Sequence, residues 1–205
     1  MLYQIWRNPL VGYIYYPGSV FKTITLAAAL EENVVSPETS FTCTGSARVA
    51  TETMNCHKRE GHGTQNMTEG LMNSCNPLFI TVGQKLGKEK FYEYFEAFGF
   101  TEKTDIDLPG EGRPIYFDEN KMSEVNLASC SFGQSFGVTG IQMITAVNAI
   151  ANGGKLMQPY VVSKVLDNNG NIINEKVLEN TNAYLAAYVI IIFVSYVLIS
   201  LDNFS

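Results

Sequence analysis

Two side chains three residues apart could do chemistry: Ser19 and Lys22, in Tyr16-Pro17-Gly18-Ser19-Val20-Phe21-Lys22-Thr23. Pro17 and Gly18 are turn residues ahead of an apolar helical run, so Ser19 falls at the mouth of a helix and Lys22 one turn in. Positions three apart share a helix face, which brings the Lys22 amine within reach of the Ser19 hydroxyl. The free N–H groups and partial positive charge of a helix N-terminus favour an anion beside Ser19. The same field, together with burial, disfavours an ammonium at Lys22 and leaves a neutral amine able to act as a base. A serine beside such an amine is an activated nucleophile. Taken alone, the pair is also what many ordinary exposed helices carry by chance.

A second pair, Ser74 and Asn76, lies in Asn73-Ser74-Cys75-Asn76-Pro77 between two helix-like segments. Asn76 before Pro77 reads as an N-cap followed by the first helical residue. In that reading Ser74 and Asn76 only close one helix and open the next. In the chemical reading Ser74 relays a proton and the Asn76 amide holds a substrate amide. The two motifs occur once each and in this order, which favours the chemical reading.

On these residues the chain resembles the penicillin-binding proteins and serine β-lactamases, whose signature combines Ser-x-x-Lys, a Ser-x-Asn-type motif and Lys-Thr-Gly. The surrounding text is closer to class B penicillin-binding proteins of the sporulation and elongation branch in clostridia-like bacteria. The matching stretches include Trp6-Arg7-Asn8, Tyr16 to Thr25, Ala27 to Glu32, Gly61-His62-Gly63, Asn73 to Pro77 and Asp107 to Glu111. Phe132-Gly133-Gln134, Thr139 to Met143 and Ala149 to Gly154 extend the likeness, which runs from about Trp6 to Lys176. The resemblance implies an α+β fold: the helix-rich lobe of the transpeptidase domain, with most of its antiparallel sheet missing. It implies acyl transfer on peptidoglycan stem peptides, with Ser19 as nucleophile, Lys22 as base, Ser74 as proton relay and Asn76 as substrate holder. β-Lactam antibiotics would acylate Ser19, and neither a metal nor an organic cofactor is implied. Family members are membrane-anchored with this domain outside the cytoplasm, and cell-wall synthesis proteins are the natural partners.

The departure from the pattern is as informative. No Lys-Thr-Gly, Lys-Ser-Gly or His-Thr-Gly follows Asn76, and Lys85-Leu86-Gly87 ends a helical segment. In the family the third motif lies on a strand beside the serine, binds the substrate carboxylate and completes the oxyanion hole. Losing one oxyanion donor costs about two to three orders of magnitude in rate. An inactive remnant or non-catalytic binding module is therefore the rival reading. A β-lactamase would also need a water-activating carboxylate, and the sequence does not place Glu69 or another acid there.

A length of 205 residues suits one large domain, or one domain with an appendage, and 46% hydrophobic with 17% charged residues excludes overall disorder. A net charge of −6 without a Lys/Arg cluster argues against nucleic-acid binding. Residues 1–10 show no signal-peptide core, and the resemblance makes Met1 look like an internal start, with the chain truncated before the third motif. Residues 1–179 read as a partial transpeptidase domain and 180–205 as an apolar tail outside the family pattern. Ala183 to Leu201 carries no charged residue; as a helix it would span about 28 Å at ~1.5 Å per residue. A frameshift or foreign sequence, a transmembrane helix and a buried segment all remain open for it.

The elements that must position the motifs follow from periodicity and caps. Ser19 to about Glu32 reads as a central helix, and Ser40 to His57 as an irregular hairpin. Asn66 with Glu69 forms a capping box ahead of Ser74. Pro77 to Leu86 and Lys88 to Phe98 are helices ending at Gly87 and Gly99, with Phe91, Tyr92, Tyr94, Phe95 and Phe98 supplying core. Ser123 to Cys130 and Thr139 to Asn152 are further helices, and Asp167-Asn168-Asn169-Gly170 turns a hairpin. Cys43 and Cys56 flank the first hairpin and read either as a disulfide or as two thiols. Cys43, Cys56, His57 and His62 are also zinc-type ligands, at a spacing that fits no familiar module. Gln134 reads as a loop residue at the cleft.

Overall fold

One helix is buried all round, and the rest of the fold is arranged on it. The computed structural model describes residues 8–175 and 180–181. A 3-10 turn, Gly18–Phe21, runs directly into helix α2, Lys22–Glu31, of which Ile24 through Ala29 are all buried. A helix that buries every face belongs at a domain centre. The run Ala27-Ala28-Ala29 keeps α2 slim, so neighbours approach it closely from both sides.

Ahead of α2 stand a single turn α1, Pro9–Gly12, and strand β1, Ile14–Tyr15. After it come β2 (Phe41–Cys43), β3 (Ser46–Val49), β4 (Glu52–Asn55) and β5 (Gly63–Gln65). Helices α3 (Met67–Met72), α4 (Asn76–Leu86) and α5 (Lys88–Ala97) follow. Then come α6 (Glu124–Cys130), β6 (Val138–Thr139), α7 (Gly140–Ala151) and β7 (Leu156–Met157). The hairpin β8 (Lys164–Leu166) and β9 (Ile172–Glu175) and the short β10 (Asn180–Thr181) complete the described elements.

Among the described residues the strands form only two-stranded antiparallel ladders: β1 with β6, β2 with β5, β3 with β4, β7 with β10 and β8 with β9. The architecture is α+β and helix-rich with little sheet, in agreement with the sequence. The expected capping box of Asn66 and Glu69 closes on α3, and the structure adds a second, of Thr139 and Gln142, on α7.

Two apolar clusters share α2 as their common wall. On one side Phe21 sits among Phe91, Phe95, Phe100 and Phe136, with ring centroids 4.7 to 6.1 Å apart. Edge and tilted ring contacts at such separations add to plain area burial. Because Phe21 lies between Ser19 and Lys22, this aromatic cluster fixes the turn that carries both. On the other side Leu26 and Ala29 pack with Cys43, Cys56, Met67, Cys75, Leu78, Phe79 and Val82. Phe91, Phe95 and Phe98 are buried as expected, while Tyr92 and Tyr94 are half-buried against the same core.

The turn before α2 is clamped from outside. Gly18 donates its N–H to the Gly133 carbonyl at 2.8 Å. Gly133 has φ +83°, and any Cβ there would run into the Gly18 backbone. Only glycine meets both demands. No described helix is long and apolar enough to cross a membrane. The segment 183–201 lies outside the described residues; Asn180 and Thr181, the first residues of the predicted tail, pair with Met157 and Leu156.

Candidate active site

A 3-10 turn has three residues per turn, so its i and i+3 side chains eclipse. Ser19 and Lys22 therefore lie closer to one line than an α-helix would put them. Ser19 is exposed while Lys22 is 0% exposed, and the Lys22 Nζ lies 3.1 Å from the Ser19 Oγ. The apolar wall beside it is Phe79, whose ring centroid is 5.6 Å from Nζ.

The second motif arrives from the turn between α3 and α4. Ser74 donates its N–H to Leu71 O at 2.9 Å and Cys75 its N–H to Gly70 O at 3.0 Å. These are the paired bonds of a Schellman motif, which needs a left-handed residue just past the helix. Ser74 fills that position with φ +48°, where glycine is usual and a side chain costs about 1–2 kcal/mol. Backbone strain of this kind clusters at functional sites. The turn delivers Ser74 Oγ to 2.9 Å and Ser74 O to 2.7 Å from Lys22 Nζ. Asn76 Oδ1 accepts from the same amine at 2.6 Å.

All four residues singled out in the sequence thus meet at one atom. The N-cap assignment shifts by one: Cys75 is the N-cap of α4, and Asn76 is its first helical residue. Asn76 is not free to cap, because its Oδ1 faces Lys22 and its Nδ2 donates to Asn55 O at 3.1 Å. That Asn55 carbonyl, at the end of β4, is a site contact the sequence does not announce, since a backbone acceptor has no residue signature.

Burial pushes the Lys22 pKa down to about 8, opposed by the charges that Cys75 and Cys56 would carry as thiolates. A neutral amine has two N–H donors and one lone pair. Two of its four neighbours, Ser74 O and Asn76 Oδ1, can only accept, and the other two are hydroxyls. The neutral amine satisfies both acceptors and keeps its lone pair for a hydroxyl proton, from Ser19 or from Ser74. This arrangement can carry a proton between the two serines. Glu69 is committed to its capping box, its Oε2 accepting from Asn66 N at 2.9 Å. Gln134 is exposed, and its Nε2 is the atom nearest to where a Cβ on Gly18 would stand, at 3.9 Å.

Directly behind the second motif lies a cluster the sequence only half indicates. The ligand atoms of Cys43, Cys56, His62 and Cys75 all lie within 4.8 Å of one another. The four cysteines are free thiols and all are buried. His57, expected as a member, is replaced by Cys75; its Nδ1 stands 3.9 Å from Cys56 Sγ, against 3.5 Å for His62 Nδ1. The signal missed was Cys75 itself, 19 residues beyond Cys56 and brought back only by the fold. Burial, then the charges of His57, Lys58 and Lys22, lower the His62 pKa, which keeps its imidazole neutral. Burial pushes the Cys75 thiol up to about 12.

The penicillin binding protein transpeptidase domain matches residues 2–189 of this chain. The chain belongs to that family. It is 47% identical to stage V sporulation protein D of Bacillus subtilis over 162 residues, 78% of this chain and 25% of that protein. The D,D-transpeptidase domain of a peptidoglycan glycosyltransferase from Eggerthella lenta superposes with a TM-score of 0.84 at 25% identity, covering 90% of this chain and 48% of that one. Penicillin-binding protein 3 of Mycobacterium tuberculosis, solved with aztreonam, gives 0.82 at 25% identity over 89% of this chain and 41% of its own. The chain spans about a quarter of the sporulation relative and under half of these two structures.

Two expectations follow from the geometry. Ser74→Gly relieves left-handed strain of about 1 kcal/mol while losing a hydrogen bond of about the same worth, so it should unfold in urea close to the parent. Asn76→Ala leaves a buried amine short of an acceptor and should cost about 2 kcal/mol in the same measurement.

Lys22 also predicts a pH dependence. Its folded pKa of about 8 is below the ordinary 10.5, so between those values the unfolded chain holds the extra proton. Stability from this group therefore rises with pH across that window. The difference in urea midpoint between the parent and Lys22→Met should grow in the parent's favour from pH 8 to 10.5; a flat difference would mean that Lys22 is not held at a depressed pKa.

Proposed function

We propose that this chain carries the nucleophile-bearing part of a serine D,D-transpeptidase that acts on peptidoglycan stem peptides and is acylated by β-lactams. The observation behind this reading is the Lys22 amine bonded at once to Ser19, Ser74 and Asn76. Ser19 Oγ attacks the carbonyl carbon of the D-Ala-D-Ala peptide bond, and its proton passes to Lys22. The C–N bond breaks, and the proton moves through Ser74 to the departing amine. The amine of a second stem peptide then attacks the ester, forms the cross-link and frees Ser19. Asn76 orients the substrate amide. A β-lactam opens its ring amide in the first step and stays on Ser19. The setting is a domain held outside the cytoplasm by a membrane anchor, working beside other cell-wall synthesis proteins.

The oxyanion and the substrate carboxylate need the third motif, which these 205 residues do not contain. A second reading is an inactive remnant or non-catalytic module. The expectation is little acylation of the 205-residue chain by a fluorescent penicillin, since losing such donors costs several decades in rate. Joining the continuation of a related gene after Lys176 should restore labelling, and Ser19→Ala should abolish it again. Rapid labelling of the 205 residues, lost in Ser19→Ala, would remove the need for the third motif. A joined chain that stays unlabelled would favour the remnant.

The Cys43, Cys56, His62 and Cys75 cluster is a zinc site in this reading. Three thiolates and one imidazole are a donor set of structural zinc. Tetrahedral ligands at Zn–S distances of about 2.3 Å stand ~3.8 Å apart, so a spread of 4.8 Å needs a closure of about one ångström. Bound zinc would compensate the thiolate charges that burial otherwise forbids. Its place is structural: it would tie Cys75, between Ser74 and Asn76, to the hairpin strands. The protein should retain close to one zinc per chain after dialysis, and Co(II) should give the intense visible bands of thiolate-rich tetrahedral coordination. Cys75→Ser should weaken both signals; zinc lost on dialysis with no cobalt bands would end the assignment.

A further inference from the structure

Gln65 is 3% exposed, and among the described residues its Nε2 is the one buried side-chain nitrogen or oxygen without a hydrogen-bond partner. An amide N–H left unpaired in the interior is costly, so such a group calls for an acceptor. The other arm of the same amide is occupied: Gln65 Oε1 accepts from Asn73 Nδ2 at 3.0 Å. Asn73 is exposed, so this bond anchors the oxygen toward the surface while the nitrogen stays buried.

The β2–β5 ladder shows what lies on the inner side. Phe41 stands opposite Gln65, Thr42 opposite Thr64 and Cys43 opposite Gly63. Side chains alternate between the two faces of a strand. Thr42 and Thr64 take the outer face, where their hydroxyls meet at 3.0 Å. Gln65 therefore shares the inner face with Cys43, its diagonal neighbour across the ladder. Diagonal positions are about 7–8 Å apart, within reach of a long side chain. From the other direction, Asn73 stands two residues before Cys75. Gln65 is thus bracketed by two members of the Cys43, Cys56, His62 and Cys75 cluster. The buried side chains packed with these cysteines, Leu26, Met67, Leu78 and Phe79 among them, carry no oxygen.

Sulfur is the side-chain acceptor that this interior offers. A thiol accepts weakly, whereas a metal-bound thiolate carries charge and accepts well. Ligands of metal sites are characteristically oriented by outer N–H donors of this kind. The direction of the amide agrees. Turned over, it would aim a carbonyl oxygen at sulfurs that cannot donate once they hold a metal.

We propose that the Gln65 Nε2–H group is the outer hydrogen-bond donor to the thiolates of this cluster, at Cys43 or Cys75, when a metal occupies it. With Oε1 on Asn73 Nδ2, the same amide then ties the metal to the residue that precedes Ser74. Gln65 is a positioning residue in this role. The inference rests on the zinc reading of the cluster and adds a residue outside its ligand set; it does not depend on the chemistry of Ser19.

The test compares the full chain with two variants. Gln65→Met keeps the length of the side chain without an N–H, and Asn73→Ala removes only the bond to Oε1. Zinc affinity is read by competition with a chromophoric chelator. Gln65→Met should hold zinc at least about ten-fold more weakly than the parent, and Asn73→Ala should lose less. A hydrogen bond lowers the energy of a sulfur lone pair. The thiolate-to-Co(II) charge-transfer band should therefore move to longer wavelength in Gln65→Met and stay in place in Asn73→Ala. Equal losses in the two variants, with the band unmoved, would reduce Gln65 to a support for Asn73 and overturn the proposal. A parent that takes up no metal would remove the zinc reading and this inference with it. A parent and Gln65→Met of equal affinity and equal spectrum would overturn this inference alone. A second measurement needs no substitution and stands even if Gln65→Met fails to fold. In isotopically labelled parent protein, one side-chain amide proton of Gln65 should shift downfield when a magnetically active cadmium isotope fills the site, and should couple to the metal. A proton that does neither would be bonded to a buried water instead, and the proposal would fall.

Discussion

A buried primary amine has to be surrounded by oxygens, and that requirement ties this molecule together. Lys22 is held in the interior, where an isolated ammonium is strongly disfavoured. It is tolerated because the 3-10 turn ahead of α2 brings one hydroxyl and the junction of α3 and α4 brings a hydroxyl, a carbonyl and an amide oxygen. The amine therefore fixes where α4 begins relative to α2. It also explains why a serine occupies a left-handed position that glycine would fill more cheaply: the turn has to present that hydroxyl.

Apolar packing supplies the stiffness that polar contacts alone would lack. Phe21 is locked among four phenylalanine rings from α5 and the neighbouring loops, so the 3-10 turn cannot rotate without dragging a ring out of the core. Gly133 closes on Gly18 from the other side. Ser19 is exposed, yet its backbone is among the most constrained parts of the fold. Positioning of this kind lets a weak nucleophile such as serine react, because the reacting atoms are already aligned.

The hairpins around the second motif have the opposite character. Strands β2 to β5 are three or four residues long and bury few large side chains, too little for ladders of this size to stand alone. They are tied to the site at two places: Asn55 O receives the Asn76 amide, and Cys43, Cys56 and His62 converge on Cys75. Cys75 therefore belongs to two systems, the turn that presents Ser74 and Asn76 to Lys22 and the thiol cluster that anchors the hairpins.

What the sequence by itself determined was local. The pairing of Ser19 with Lys22, the capping box at Asn66, the glycine stops at Gly87 and Gly99 and the turn before Asn171 all rest on contacts within four residues. Short-range geometry and intrinsic preference decide such features. Only the tertiary structure decided that Ser74 and Asn76 meet Lys22 from more than 50 positions away, that Asn76 gives up its capping role, and that Cys75 rather than His57 completes the thiol cluster. None of these has a spacing rule, because each depends on how α2 and α4 pack.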